Sequence, residues 1–469
     1  MSEMQARFDV LAQSVGAELA GTLARHVRDA QDRELYRINP YECAARYALK
    51  EGEAIAAFLH ASRLGLFDLS WNLLCPGCGG VLDASATLKS VKREEYNCAL
   101  CAAGYEPTLD EMVEASFTVN PRLRRIPAHH PQALPLAEYY RQMYWSSGIE
   151  LPAQDFEQAM QQIWLDAVEI PPGEKVILSL TLPKQFVIVF DAVTHAAQFI
   201  DVQGEPTRER QELTVVFNKV RAPTGKTLLR PGPLRLALDN RSDQRVLPTV
   251  AVAGDHLHNL LAKRKRFLTA KQLLTNQTFR DIYRTDALDI DQRLKITSLT
   301  FLFTDLKGST SMYERVGDLA AYDLVKAHFQ VLNDVVAERS GAVVKTIGDA
   351  VMATFPTPDK GLAAAIEMRE AMRRLNAGRR NEDLTLKIGI HEGPCLAVML
   401  NERLDYFGQT VNIAARVQGL AETRSIFATE PVVAHPDAAR LLEQGGLRAV
   451  AQQCNLRGVS EAMKVFEIA

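Results

Sequence analysis

Residues Ser298–Thr304 read SLTFLFT, an alternation that fits a strand buried on one face, and the run ends at an acid, Asp305. Leu306-Lys307-Gly308-Ser309-Thr310 follows and leads into a long helical pattern, so this carboxylate stands at the C-terminal edge of its strand. Ala342–Ile347 and Ala350–Phe355 then flank Gly348-Asp349, the pattern of a β-hairpin with an acidic turn. With the hairpin beside the first strand, Asp305 and Asp349 project from one sheet edge. Two carboxylates converging there can hold two divalent ions, Mg2+ or Mn2+. Gly308 permits close backbone approach, and N–H groups at a helix start suit phosphate oxygens. Each feature alone has an ordinary structural explanation, since a strand-end Asp often caps a helix and Gly-Asp often makes a turn. Their combination points to metal and phosphate chemistry.

Further along, Asn412 and Arg416 lie four apart in TVNIAARV, so on a helix both side chains reach one surface. Val411, Ile413, Ala414 and Ala415 surround them with apolar side chains, as in a helix docked at an interface. On FLFTDLKGST (301–310), KTIGD (345–349) and DYFGQTVNIAAR (405–416), residues 296–469 resemble the class III adenylate/guanylate cyclase family. The resemblance implies a C-terminal α/β catalytic domain of ferredoxin-like βαβ type. It implies that Asp305 and Asp349 bind two Mg2+ or Mn2+ ions per active site, with Leu306, Lys307, Gly308, Ser309 and Thr310 against the phosphates. Lys345 and Asp405 match the base-selecting positions, Asn412 the ribose-orienting one and Arg416 the one that neutralises charge on the α-phosphate. Arg457, in NLRGV, stands where the family often has a triphosphate-gripping lysine. The segment between Gly393 and Asp405 lacks the family's glycines, and Phe407 replaces a frequent tryptophan. In the family the metal aspartates of one subunit face the remaining groups of its partner, which implies a homodimer.

A Lys donor pairs with adenine N1 and an Asp acceptor with the 6-amino group, whereas guanine presents the reverse pattern. Guanylate-selective relatives typically carry Glu and Cys there, so ATP is the expected substrate; a buried mispair costs about 1–3 kcal/mol per group. The expected activity is adenylate cyclase, converting ATP to 3′,5′-cyclic AMP and pyrophosphate. A guanylate cyclase and a catalytically silent nucleotide-binding signalling protein are the alternatives. A diguanylate cyclase is disfavoured, because the hairpin lacks the Gly-Gly-Asp/Glu-Glu-Phe turn.

A chain of 469 residues exceeds one core. Residues 1–70 read as a helical, winged-helix-like unit. Residues 71–107 contain Cys75-Pro-Gly-Cys78 and Cys98-Ala-Leu-Cys101, whose doubled CxxC spacing predicts a zinc ribbon with structural Zn2+ rather than a catalytic ion. Residues 108–166 read as a helical connector, 168–253 as a small antiparallel β-sandwich, and 256–295 as a helical linker or transducer. In the last of these, Lys263–Arg266 reads as a solvated helix face. A net charge of −3 gives no basic field for nucleic acid. Neither a secretory signal nor a membrane span of about 20 apolar residues is present, so the chain reads as cytoplasmic. The N-terminal 295 residues read as regulatory, toward a ligand or protein partner that the residues do not name.

Overall fold

The computed structural model describes residues 3–91, 95–152, 156–218, 225–283, 288, 292–377, 384–421 and 425–469. The chain forms two compact units: Met1–Ala86 with Glu94–Pro107 and Glu111–Leu268, and Thr87–Arg93 with Thr108–Asp110 and Thr269–Ala469. No described helix is long and apolar enough to cross a membrane.

The first unit opens with helices Glu3–Val15, Ala17–Asp29, Pro40–Tyr47 and Glu51–Arg63. Asn39 caps the third by accepting from Tyr41 N, with Pro40 preset for the first turn. These helices meet a three-stranded antiparallel sheet in which Phe67–Leu74 lies between Val81–Ser85 and Val113–Val119. Phe58 of the fourth helix packs on Phe67 and Phe117 with ring centroids 5.1 and 5.0 Å apart.

Val113–Val119 lies inside the expected helical connector, which also holds the short helices Leu136–Tyr139 and Phe156–Gln161. Its strand was hidden because Glu114 and Ser116 are buried polar residues. Asn72 satisfies both from the neighbouring strand, and Ser147 donates to Glu114 as well.

Beyond it lies a two-layer β module. One sheet orders Gly225–Leu229, Ala196–Val202, Val187–Asp191, Pro248–Val252 and Trp164–Ala167; the other orders Gln211–Phe217, Gly232–Asn240 and Lys175–Leu182. Val189, Ile200 and Val250 of the first share a core with Phe217, Leu236 and Leu238 of the second. The sheets are mixed rather than antiparallel, since 196–202 runs parallel to 225–229 and 211–217 parallel to 232–240. The chain changes sheets at each of these connections, so strands sharing a sheet re-enter it in the same direction; period-two alternation encodes a face and not a partner.

The basic run 263–266 also differs from expectation. It follows helix Asp255–Ala262 as extended chain, where Lys265 pairs with Glu42, Arg266 pairs with Glu51 over the Tyr41 ring, and Arg264 donates to the Gly77 carbonyl.

The second unit begins with α1 (Ala270–Leu274) and α2 (Gln277–Ile282); residues 284–287 and 289–291 of the expected linker lie outside the described residues. There follow β1 (Leu294–Leu306), α3 (Ser309–Val316), α4 (Asp318–Glu338), β2 (Ala342–Ile347), β3 (Ala350–Phe355), α5 (Pro358–Asn376), β4 (Leu386–Leu400), β5 (Arg403–Phe407), α6 (Gln409–Gly419), β6 (Ile426–Thr429), α7 (Glu430–Val433), α8 (Pro436–Gln444), β7 (Ala449–Cys454) and β8 (Met463–Ile468). The sheet order is β2-β3-β1-β4-β6-β8-β7, with β5 also on β4, and among the described strand pairs of this sheet β4–β6 is the parallel one. Leu302, Phe355 and Ile390 of the sheet join Leu332, Leu362 and Met368 of α4 and α5 in one core. On the other face, α6 buries Ile413 and Val417 against Phe427, Leu456 and Val465.

This unit reaches back before residue 296. Leu109 exchanges main-chain bonds with Lys295 and Lys271, Asp110 accepts from Thr297 N at 2.6 Å, and Lys271 pairs with Asp110 at 3.0 Å. Gln292 donates to the carbonyls of Leu88 and Val91.

Candidate active site and cysteine cluster

Asp305 sits near the end of β1, paired in register with Lys387 of β4. On the other side, Thr304 faces Val351 of β3 and its hydroxyl accepts from Val351 N at 3.2 Å. The β2–β3 turn, with Gly348 at φ +65°, therefore presents Asp349 at the same edge. Burial, and after it the charge of Asp349, pushes the Asp305 carboxyl above its ordinary pKa, while Lys387 pulls it down. Asp349 Oδ2 is buried and has no hydrogen-bond partner among the described residues. Two repelling carboxylates with an orphaned buried oxygen fit a divalent cation.

Residues 306–310 divide. The Leu306 side chain is core, which leaves only its main chain for a ligand, and Lys307 N already donates to Thr385 O at 2.9 Å. Gly308, at φ +69°, is the N-cap residue of α3. The N–H groups of Ser309 and Thr310 have no intrahelical acceptor at that position. The helix start, rather than the whole pentapeptide, is thus the phosphate-facing candidate.

Lys345 Nζ donates to Asp405 Oδ2 at 2.6 Å, although 60 positions separate them. Asp405 is only 9% exposed at its side chain, and its Oδ1 accepts from Tyr406 N at 2.8 Å. The pair links β2 to β5, which hangs on the far half of β4 through Leu396–Leu400. Arg416 on α6 lies over Gly458, where an added Cβ would stand 3.3 Å from its guanidinium. This places Arg416 beside the Leu456–Val459 turn that bears the exposed Arg457. Asn412 is exposed on the same helix.

Three residues escaped the sequence reading. Gln277 Oε1 accepts from Val343 N at 2.8 Å, next to the bulge preceding Lys345. Arg280 donates to Leu404 O at 2.7 Å, one residue before Asp405, and its guanidinium lies over the Tyr406 ring. The pair therefore braces the main chain of both β2 and β5. His328 on α4 is fully buried; burial lowers its pKa, whereas the Val325 carbonyl and Asp349 raise it. The Asn276 cap of α2 was a legible helix signal, but nothing local marks what Gln277, Arg280 or His328 touches.

In the other unit, the four cysteines of the two CxxC motifs bring their sulfurs within 4.8 Å of one another. Cys75–Cys101 and Cys78–Cys98 are separated by 3.6 and 3.7 Å. A tetrahedron with Zn–S bonds of about 2.3 Å has edges of about 3.8 Å, so the donor set fits zinc. Cys78 N and Gly80 N point at the sulfurs of Cys75 and Cys78, which favours thiolates. The first knuckle joins two strands of the three-stranded sheet, and the second lies on the hairpin Tyr96–Cys98/Ala103–Tyr105.

Residues 292–466 match the adenylate and guanylate cyclase catalytic domain, and residues 1–281 match a family of unknown function, DUF5939. An adenylate cyclase of Anabaena cylindrica is 30% identical over 185 residues, 36% of this chain and 36% of that protein. Adenylate cyclase 2 of Rhizobium meliloti (strain 1021) is 33% identical over 135 residues, 26% of this chain and 37% of that protein. The chain thus spans little more than a third of the length of either relative. The crystal structure of the adenylyl cyclase CyaB from P. aeruginosa aligns with a TM-score of 0.33 at 21% identity, over 38% of this chain and 96% of that one.

Proposed function

The chain belongs to the DUF5939 family through residues 1–281 and carries a class III nucleotide cyclase domain at 292–466, and from that premise we propose that it is an adenylate cyclase acting as a homodimer in the cytosol. The observation that carries this reading is the convergence of Asp305 with the orphaned Asp349 Oδ2 at one sheet edge. Asp305 and Asp349 would hold two Mg2+ or Mn2+ ions, which when bound supply a more acidic ribose 3′-hydroxyl and a counter-charge to the polyphosphate. Lys345 donates to adenine N1 and Asp405 accepts from the 6-amino group, a reading supported by the direct contact between the two side chains. Asn412 orients the ribose. The 3′-oxygen attacks the α-phosphorus in line, its proton passes to solvent, and the bond to the β-phosphate oxygen breaks to release pyrophosphate. Arg416 balances the charge that accumulates on the α-phosphate, while Arg457 and the N–H groups at the start of α3 grip the phosphates.

The dimer reading is supported by exposed apolar side chains on β2 and on the β4–β5 hairpin, with Ile347, Leu400 and Phe407 at 54%, 44% and 53% exposure. Zn2+ at Cys75, Cys78, Cys98 and Cys101 would be structural, since all four positions are thiolates. The N-terminal region serves regulation. Incubating the purified protein with ATP and Mn2+ and measuring cyclic AMP tests the reading: turnover that survives Asp305→Ala, or GTP used in preference to ATP, overturns it.

A further inference from the structure

A cavity of about 550 Å3 lies entirely within the unit that carries the N-terminal helices, a size typical of small-molecule sites. Its walls hold an excess of donors. Arg37 is 9% exposed, donates to the Met143 carbonyl at 2.7 Å and lies over the Tyr36 ring, with no carboxylate partner among the described residues. Arg33 has no ion-pair partner among the described residues either. Arg141 donates to the Pro152 carbonyl and stands 3.6 Å from Glu138. Burial, and after it the like charge of Arg33, pulls its pKa below the ordinary value. The remaining lining cations, Arg46 and Lys265, are already paired with Glu34 and Glu42.

Two further groups lining the cavity are buried and unpartnered among the described residues. The indole Nε1 of Trp145 is a donor only, on a residue 5% exposed. His26, 3% exposed, contacts the Tyr47 hydroxyl through Nδ1 at 3.1 Å; its Nε2 makes no well-aligned hydrogen bond among the described residues, with the Glu34 main chain the nearest acceptor acting on the ring. Native proteins rarely leave such groups unsatisfied. Arg37 also adopts φ +47°, a left-handed conformation that is disfavoured for a side chain with a Cβ and concentrates at ligand clamps.

We propose that this cavity binds a small organic oxyanion, a phosphate or carboxylate ester or acid, gripped by Arg33, Arg37, the Trp145 indole N–H and His26. Cations without counterions, buried donors without acceptors and a strained arginine all call for the same missing partner, an anionic acceptor. Tyr36 and the neighbouring apolar wall provide room for its organic body.

Calorimetric titration of the full-length protein with inorganic phosphate and, separately, citrate tests this without nucleotide, metal or turnover, so it stands apart from the catalytic reading. At least one anion should bind saturably with a dissociation constant below about 10 mM. Arg33→Glu should weaken that binding at least about tenfold, whereas Arg457→Ala should leave it unchanged. Trp145→Phe removes the donor and leaves a smaller aromatic ring in its place; it should weaken binding about threefold or more at a temperature where circular dichroism shows the variant folded, and it stands in should Arg33→Glu fail to fold. Phosphate binding without citrate binding assigns a phosphoryl ligand, and the reverse a carboxylate. No saturation by either anion, full affinity in these cavity variants, or loss in Arg457→Ala instead overturns the proposal.

Discussion

Asp305 and Asp349 illustrate how one pair of side chains sets both a liability and a use. Ionised together beside a buried edge, they repel, and Asp305 holds its proton more tightly than it would in the unfolded chain. A carboxyl whose folded pKa is raised contributes stability that is full below the unfolded value and lost as pH rises through the folded one. Metal-free Asp305→Asn should therefore melt above wild type at pH 8, with the difference closing as pH falls below about 4, followed by thermal unfolding across pH. The same variant should lose at least about 100-fold in cyclic AMP formation at saturating Mn2+. For Lys345 and Asp405, proposed to read the base, Lys345→Glu with Asp405→Cys should shift the ATP-to-GTP ratio of kcat/KM by about 10-fold or more toward GTP, because each exchange inverts a donor–acceptor match. An unchanged ratio would refute the assignment of those two residues.

Among the elements, α2 stands out because it braces both strands that carry the Lys345–Asp405 pair at once. Arg280→Ala removes the donor to Leu404 O and the cation over Tyr406, freeing β5 while leaving Asp405 itself in place. We expect a KM for ATP raised about 10-fold with kcat much less affected, read from steady-state kinetics, with Arg280→Lys recovering part of the loss. The cysteine knuckles are a second case. Cys78→Ser should lower the zinc content of the purified protein, measured by metal analysis, and lower the melting temperature of the first unit, because metal affinity there is also folding free energy.

For the whole molecule, the catalytic set is proposed to be divided between protomers. Asp305→Asn and Arg416→Ala should each be inactive alone, yet a mixture allowed to exchange subunits should regain about one quarter of wild-type activity: half the dimers are mixed, and each keeps one intact site of two. No recovery, with exchange confirmed by differently tagged subunits, would contradict the shared site. Fragment boundaries matter too. Because Leu109, Asp110, Leu88 and Val91 bond into the second unit, a fragment starting at 296 should be less stable than that unit in the full chain, by circular dichroism melting.

The proposed site residues 305, 349, 412 and 416 could be picked out because each sits in a short local block (a strand end, a hairpin turn, one face of one helix), whereas 345 and 405 were singled out only by resemblance to the cyclase motifs. The CxxC pairs were legible for the same reason. Sequence also marked the β-rich stretch after residue 168, since alternation reports which side of a strand is buried. It was silent on which strands pair, and the parallel pairs 196–202/225–229 and 211–217/232–240 emerged only with the sheets. It missed Val113–Val119, whose buried Glu114 and Ser116 look like surface residues until Asn72 and Ser147 are brought alongside. Chain composition and period thus determined the local elements and where candidate residues fall on them. Which distant donors meet which acceptors, from Arg280 on Leu404 to Arg37 on Met143, was decided by long-range packing, because a hydrogen bond between positions far apart leaves no periodic trace in either.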